Sequence, residues 1–234
     1  MLAWCLWLLG SWAVTLWLDS TRPAVRWMVF AALMGLMLLW PVFRLSQDYP
    51  VPQRYRTAEK RGPAERASAP TPRDWLPPAL PLGRVLLDWL SLILVFQAVI
   101  WPLLVTAGWG LKQTLLLDAA VASWSLVTAA LVAWGCRGRT AGHRATAMVL
   151  CLLLVLGEPA VLAMLDLVWP GPAGAWTLRV SPIQTIWALT DPTWSWSAAA
   201  TAGWVERVAA AAAAGGLGWV LLALFNRGSA PARD

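Results

Sequence analysis

Charge is scarce in this chain, and the residues that usually carry chemistry are scarcer still. Charged residues make up 13% of its 234 residues, against about 25% in an ordinary soluble domain. Too few charges remain to cover the surface of a water-soluble fold of this length. There is one histidine, His143, in a short basic loop with no neighbouring Cys or carboxylate cluster. Without a partner it is a poor metal ligand and a poor general base. The three cysteines, Cys5, Cys136 and Cys151, form no CxxC pair and lie in or beside apolar segments. That gives no support to a disulfide framework or a zinc site and reads as small apolar packing residues. No G-x-x-x-x-G-K-[ST] phosphate loop, G-x-S-x-G elbow or H-E-x-x-H pair occurs, so the usual routes to ATP hydrolysis, acyl transfer and zinc proteolysis are absent. No internal repeat of the kind common in secondary transporters is evident. The chain is therefore expected not to be an enzyme, with no catalytic residue, no cofactor and no metal.

What the sequence has in abundance is apolar length. Hydrophobic residues reach 59%, gathered into runs near the ~20 residues that a helix needs to cross a bilayer. Six runs stand out: 2–18, 25–40, 85–107, 115–134, 145–169 and 204–225. The first lacks a basic leader and a small-residue cleavage site, so it reads as a retained helix and not as a signal peptide. Pro41 closes the second run, and Gly157-Glu158-Pro159 interrupts the fifth; a proline there predicts a kink or break. The fold class is all-α: a polytopic membrane protein of about six transmembrane helices.

The domain plan follows from composition. Residues 1–43 form a transmembrane hairpin, and 44–84 a Pro- and Arg-rich linker that buries too little to order itself, apart from a short interfacial helix over 53–66. Residues 85–225 form a four-helix membrane bundle. Within it, 170–197 is a Pro- and Trp-rich outer segment expected as short helices on the membrane surface. Residues 226–234 are a polar tail.

The net charge of +6 does not indicate nucleic acid, because the basic residues sit between apolar runs. With six spans, 44–84, the loop of Arg137, Arg139, His143 and Arg144, and the tail share one side, with thirteen Lys and Arg. Arg22, Arg26, Lys112, Arg179 and Arg207 share the other. The positive-inside rule puts the thirteen-charge side in the cytoplasm. Both termini are then inside (N-in, C-in), in the cell (inner, cytoplasmic) membrane. The nineteen tryptophans fit interfacial anchoring, where the ring is half buried and the N–H hydrated.

Acids within or beside the spans are Asp88, Asp118, Glu158, Asp166 and Glu206. Glu158, beside its helix breaker, is one candidate intramembrane polar site, either contacting an ion or substrate in the bundle or marking a helix end. Gln97, inside the third run, is the other. Asp88 and Asp118 lie near predicted helix starts, where a carboxylate favours the helix dipole. In the last run, Ala211/Gly215 and Ala214/Gly218 are small residues at spacing four. They form a candidate helix-packing seam, serving either internal packing or a homodimer.

The layout resembles the exporter-type membrane (permease) subunits of ABC transporters. Six spans with both ends inside carry the resemblance, with a polar cytoplasmic stretch between spans two and three and the Pro-punctuated outer segment from Glu158 to Ser197. Ser181-Pro182-Ile183 to Leu189, followed by Asp191-Pro192, is similar to the proline-marked entry to the family's last helix. The chain departs from the family in lacking an amphipathic helix before the first span and a clear coupling helix in the linker. The resemblance implies a separate ATP-binding subunit that contacts the polar stretch, and an external helical hairpin between spans five and six. A non-catalytic membrane assembly or scaffold protein, its basic stretch binding a partner or anionic lipid, is the alternative. In either case the lipid bilayer is the surrounding partner.

Overall fold

A computed structural model describes residues 2–16, 21–47, 82–138, 140–168, 181–191 and 198–227. Every regular element among them is helical. In chain order they are α1 (Leu2–Leu16), α2 (Thr21–Met34), a π-helical turn (Gly35–Leu39), α3 (Trp40–Ser46), α4 (Leu82–Ala107), α5 (Leu111–Arg137), α6 (Ala141–Val168), the short α7 (Pro182–Leu189) and α8 (Ala198–Arg227).

Five helical stretches are long and apolar enough to cross a membrane: Ala24–Ser46, Leu82–Pro102, Leu111–Arg137, Ala141–Leu165 and Thr201–Phe225. This is the make-up of a multi-pass membrane protein. The expected sixth, α1, has 15 described residues, about 22 Å of helix, short of the ~30 Å hydrocarbon core.

Helix α5 is the centre of the bundle. Of its span 61% is buried, against 11% for that of α6, which turns Val149, Leu153, Val161 and Met164 outward as a lipid-facing surface. The sequence of α5 explains its place. Ala120, Ser123, Ser125, Thr128, Ala129, Ala133 and Gly135 are small and buried, so neighbours approach from several sides, as membrane helices do through small residues. The buried hydroxyls are satisfied locally: Ser123 Oγ donates to Ala119 O at 2.6 Å and Thr128 Oγ1 to Trp124 O at 3.2 Å. From α4, Trp89 Nε1 donates to Ser125 Oγ at 3.0 Å. At the α4–α5 turn, Gly108 takes φ 65°, a left-handed conformation that favours glycine.

Neither of two prolines in the spans ends its helix. Pro41 does not close the second span. The helix passes through the π turn and continues to Ser46. Proline crowds the carbonyl four residues back and lacks an N–H. The wider π turn immediately before it, closed by Trp40 N–H on Gly35 O, accommodates that crowding. Nor does Pro159 break the fifth span: α6 is helical from Ala141 to Val168 with Pro159 inside. The missing bond is tolerated in membrane helices, whose neighbours and local adjustments re-satisfy the freed groups.

Gly35 also seats α1. A Cβ at that position would collide with the Trp4 ring, and Trp7 Nε1 donates to Ala31 O at 2.7 Å. Ala31 O is the carbonyl that would pair with Gly35 in an unbroken α-helix.

Of the outer segment, α7 is described: Thr185, Ile186 and Leu189 are buried in the main core with Leu33, Phe96 and Leu117, while Trp187 on the same helix is exposed. The linker is narrower than expected, since 44–46 are the end of α3 and 82–84 the start of α4. The rest of it, including the expected interfacial helix over 53–66, lies outside the described residues, as do 170–180, 192–197 and 228–234.

Candidate functional site

Helix α7 has eight residues, too few to persist alone, and polar groups from three other helices hold it. Its start is specified locally. Ser181 is the N-cap, its Oγ accepting from Ile183 N at 3.2 Å, and Pro182 occupies the first helical position. Serine there accepts an otherwise unpaired N–H, and proline there has no N–H to leave unpaired.

Glu158, from α6, accepts the Ser181 backbone N–H on Oε2. Its carboxylate therefore sits at the positive end of the α7 dipole. The other end of α7 has carbonyls with no helical partner, and two side chains supply donors. Arg26 Nη2, from α2, donates to Trp187 O at 2.7 Å, and Gln113 Nε2, from α5, donates to Leu189 O at 2.7 Å. The Arg26 guanidinium also lies 3.4 Å from the centre of the Trp187 ring, within cation–π range. An acid at the N-terminus and a cation at the C-terminus together match both ends of the helix dipole.

Glu158 is thus engaged with α7 through Oε2, while Oε1 is buried without a hydrogen-bond partner among the described residues. Gln97 lies elsewhere. Its Nε2 donates to Asp118 Oδ1 at 2.6 Å, and its Oε1 accepts from Trp101 Nε1 at 2.7 Å. The chain Trp101–Gln97–Asp118 ties α4 to α5 and consumes both functional atoms of the Gln97 amide. Glu158 and Gln97 are not brought together; each serves a different helix junction.

The small residues of α8 face α5. A Cβ on Gly215 would lie 3.1 Å from Val127 N and 3.0 Å from Leu126 Cγ; one on Gly218 would lie 3.2 Å from Ala130 Cβ. Ala211 is buried on the same face, while Ala214, expected in the same seam, is exposed. A helix carries residues 211, 215 and 218 on one stripe, and 214 sits at its edge.

At the opposite end of the bundle the helix ends are joined by basic residues. Arg44 Nη2 pairs with Asp88 Oδ2 at 2.7 Å, Arg137 Nη2 donates to Phe225 O at 2.7 Å, and Arg144 Nη1 donates to Gln47 O at 3.4 Å. These contacts link the ends of α3, α5 and α8 with the starts of α4 and α6, so successive spans run in alternating directions.

Sequence reasoning singled out Glu158 and Gln97, noted Ser181-Pro182 only as the entry to the last helix, and missed Arg26 and Gln113 as partners. The Ser-Pro pair is a legible helix start. For Arg26 and Gln113 the signal was only that a polar residue stood near a span end, and no spacing rule names a partner 161 or 76 residues away. Comparison of the chain with protein-family models, with curated proteins and with solved structures returned no match.

Proposed function

We propose that the chain is the membrane subunit of a transport complex, permease-like, working with a separate ATP-binding subunit in the cell membrane. The observation that supports this reading is α7, a short helix between α6 and α8 that packs into one end of the bundle. It occupies the sequence position of the external hairpin in exporter-type ABC permeases. In this reading the end holding Arg44, Arg137 and Arg144 faces the cytoplasm, in keeping with the excess of Lys and Arg there. The polar stretch after α3 is the contact for the ATPase. In this reading hydrolysis belongs to the partner, and α7 gates the outer end.

One observation favours the alternative of a non-catalytic assembly or scaffold protein. Gln97, Asp118 and Glu158 each make a bond that joins two helices, which suits a static bundle. The α8 stripe of Ala211, Gly215 and Gly218 packs on α5, so a homodimer would use another face.

The two readings separate on affinity purification in mild detergent followed by mass spectrometry. The transport reading expects a stoichiometric ATP-binding subunit that is lost when residues 48–81 are deleted, with α3 and α4 left intact. Recovery of the folded protein without any ATPase, or with a stoichiometric non-ATPase partner, would give the scaffold reading its place.

A further inference from the structure

Where α1 meets the end of the second span, a pocket of about 310 Å³ lies beside the start of α4. That is the lower end of the ~300–1,000 Å³ range of small-molecule sites. Its walls are aromatic: Trp4 and Trp7 from α1, Trp40 and Phe43 from α3. Two of these rings are held in place, Trp4 over Gly35 and Trp7 by its bond to Ala31 O. The charged residues of the lining are Arg44 and Asp88. They pair at 2.7 Å, so the lining carries no net charge. Arg44 Nη1 also donates to Gln47 Oε1 at 3.1 Å.

The hydrogen bonding left over is one-sided. Among the described residues, two buried side-chain atoms of the lining have no partner, Trp4 Nε1 and Arg44 Nε. Both are donors that cannot accept, and Trp4 is only 7% exposed. A buried donor without an acceptor is costly, so the pocket favours an occupant that brings acceptor oxygens. An anion is not called for, because Asp88 already offsets Arg44. A purely apolar occupant would leave both donors unmet. Four aromatic walls favour a flat ring, which can stack on them or meet their edges. The pocket lies at the last turn of α3 and the first turns of α1, and tryptophan concentrates at the membrane interface. An amphiphile with its ring at that level and its tail in the bilayer meets all of these conditions.

We propose that this pocket binds the head of a lipid-soluble quinone, a planar, uncharged ring whose carbonyl oxygens accept from Trp4 Nε1 and Arg44 Nε. Ester carbonyls of a glycerolipid offer the same acceptors but no flat ring for the aromatic walls. The site does not depend on the transport reading; it would exist equally in a scaffold.

Isothermal titration calorimetry of the purified protein in detergent, against a micelle blank, tests it with three probes. These are ubiquinone-1, the same isoprenyl tail on a benzene ring without carbonyls, and dihexanoylglycerol. The wild type should bind one ubiquinone-1 saturably and about fivefold or more tighter than either other probe, the factor that one net hydrogen bond supplies. Trp4→Phe keeps an aromatic wall and removes the N–H. Arg44→Lys keeps a cation for Asp88 and removes Nε. Each should weaken ubiquinone-1 about fivefold and leave the carbonyl-free probe unchanged, which separates loss of a donor from loss of the fold. The comparison of probes on the wild type stands even if a variant fails to fold. No saturable binding, equal affinity for the carbonyl-free ring, or unchanged ubiquinone-1 affinity in either variant would overturn the proposal. So would equal or tighter binding of dihexanoylglycerol, because the occupant would then be a glycerolipid.

Discussion

A carboxylate inside a membrane span is expensive, roughly 2.5–3.5 kcal/mol on insertion scales, and Glu158 offsets that through its bond to the Ser181 N–H. The bond makes Glu158 a positioning residue for α7, and this is open to test. Glu158→Ala leaves a backbone donor and the positive end of a helix without their acceptor. The bundle should lose about 1–3 kcal/mol of stability, read by unfolding in detergent. Glu158→Gln keeps an acceptor while removing the charge and should lose less. A local readout separates release of α7 from general loosening. With the exposed Cys5 replaced by serine, a cysteine at buried Thr185 should resist labelling in the parent and react in Glu158→Ala. Unchanged labelling and unchanged stability would return Glu158 to the role of an ion or substrate contact. The sequence shows why such a residue draws attention, since hydropathy makes any intramembrane acid conspicuous. Its partner was not legible, because Ser181 lies 23 residues away across residues with no periodic pattern. The same holds for Gln97, whose bond to Asp118 spans 21 residues and a turn.

Element by element, what the sequence disclosed was length and apolarity, and what it withheld was the context of each helix breaker. The runs that became α4, α5, α6 and α8 were legible because spanning ~30 Å of hydrocarbon forces a long apolar run whatever the packing. Pro41 was misread as a helix end, and of the kink or break expected at Pro159 no break occurs, because the effect of a proline depends on its surroundings. A π turn precedes one, and the other lies in a helix of 28 residues that continues past it. The burial of α7 was equally invisible, since an eight-residue stretch with four buried positions reads much like an interfacial helix. The small-residue pattern of α8 was legible as a seam but not as to its partner, and geometry now distinguishes adjacent glycines. A side chain at Gly215 meets the Val127 backbone, which cannot step aside, whereas at Gly216 nothing lies within 4 Å. Gly215→Leu should therefore destabilise the bundle by about 1–3 kcal/mol, the range for overpacking a well-packed contact. Gly216→Leu should be neutral or slightly stabilising, since leucine outranks glycine in helix propensity. Thermal unfolding of the two variants side by side checks this. Equal effects would mean that α8 does not rest on α5 along Gly215.

On the scale of the whole molecule the open choice is between five crossings and six, and α1 decides it. The five long spans alternate in direction, with α3, α5 and α8 ending where α4 and α6 begin. In the proposed orientation that end, with its basic residues, faces the cytoplasm and α8 ends there. If α1 crosses as well, the N-terminus lies on that same side; if it lies along the interface, the N-terminus does not reach it by crossing. Packing favours a crossing. Trp4 and Leu8 are buried against the second span and Trp7 donates to Ala31 O, so α1 follows α2 and the π turn closely along its length. Residues near its start line a pocket with Arg44 and Asp88 at the basic end. Reporters that fluoresce only in the cytoplasm, fused before Met1 and after Asp234, should both light up, while a reporter inserted at Gly110 should stay dark. A dark N-terminal fusion with a bright C-terminal one would leave five crossings and make α1 a strap on the second span. The Gly35 seat offers an internal check on the same point. Gly35→Val must displace the Trp4 ring and with it α1, so it should extinguish the N-terminal reporter only if α1 needs that contact to insert.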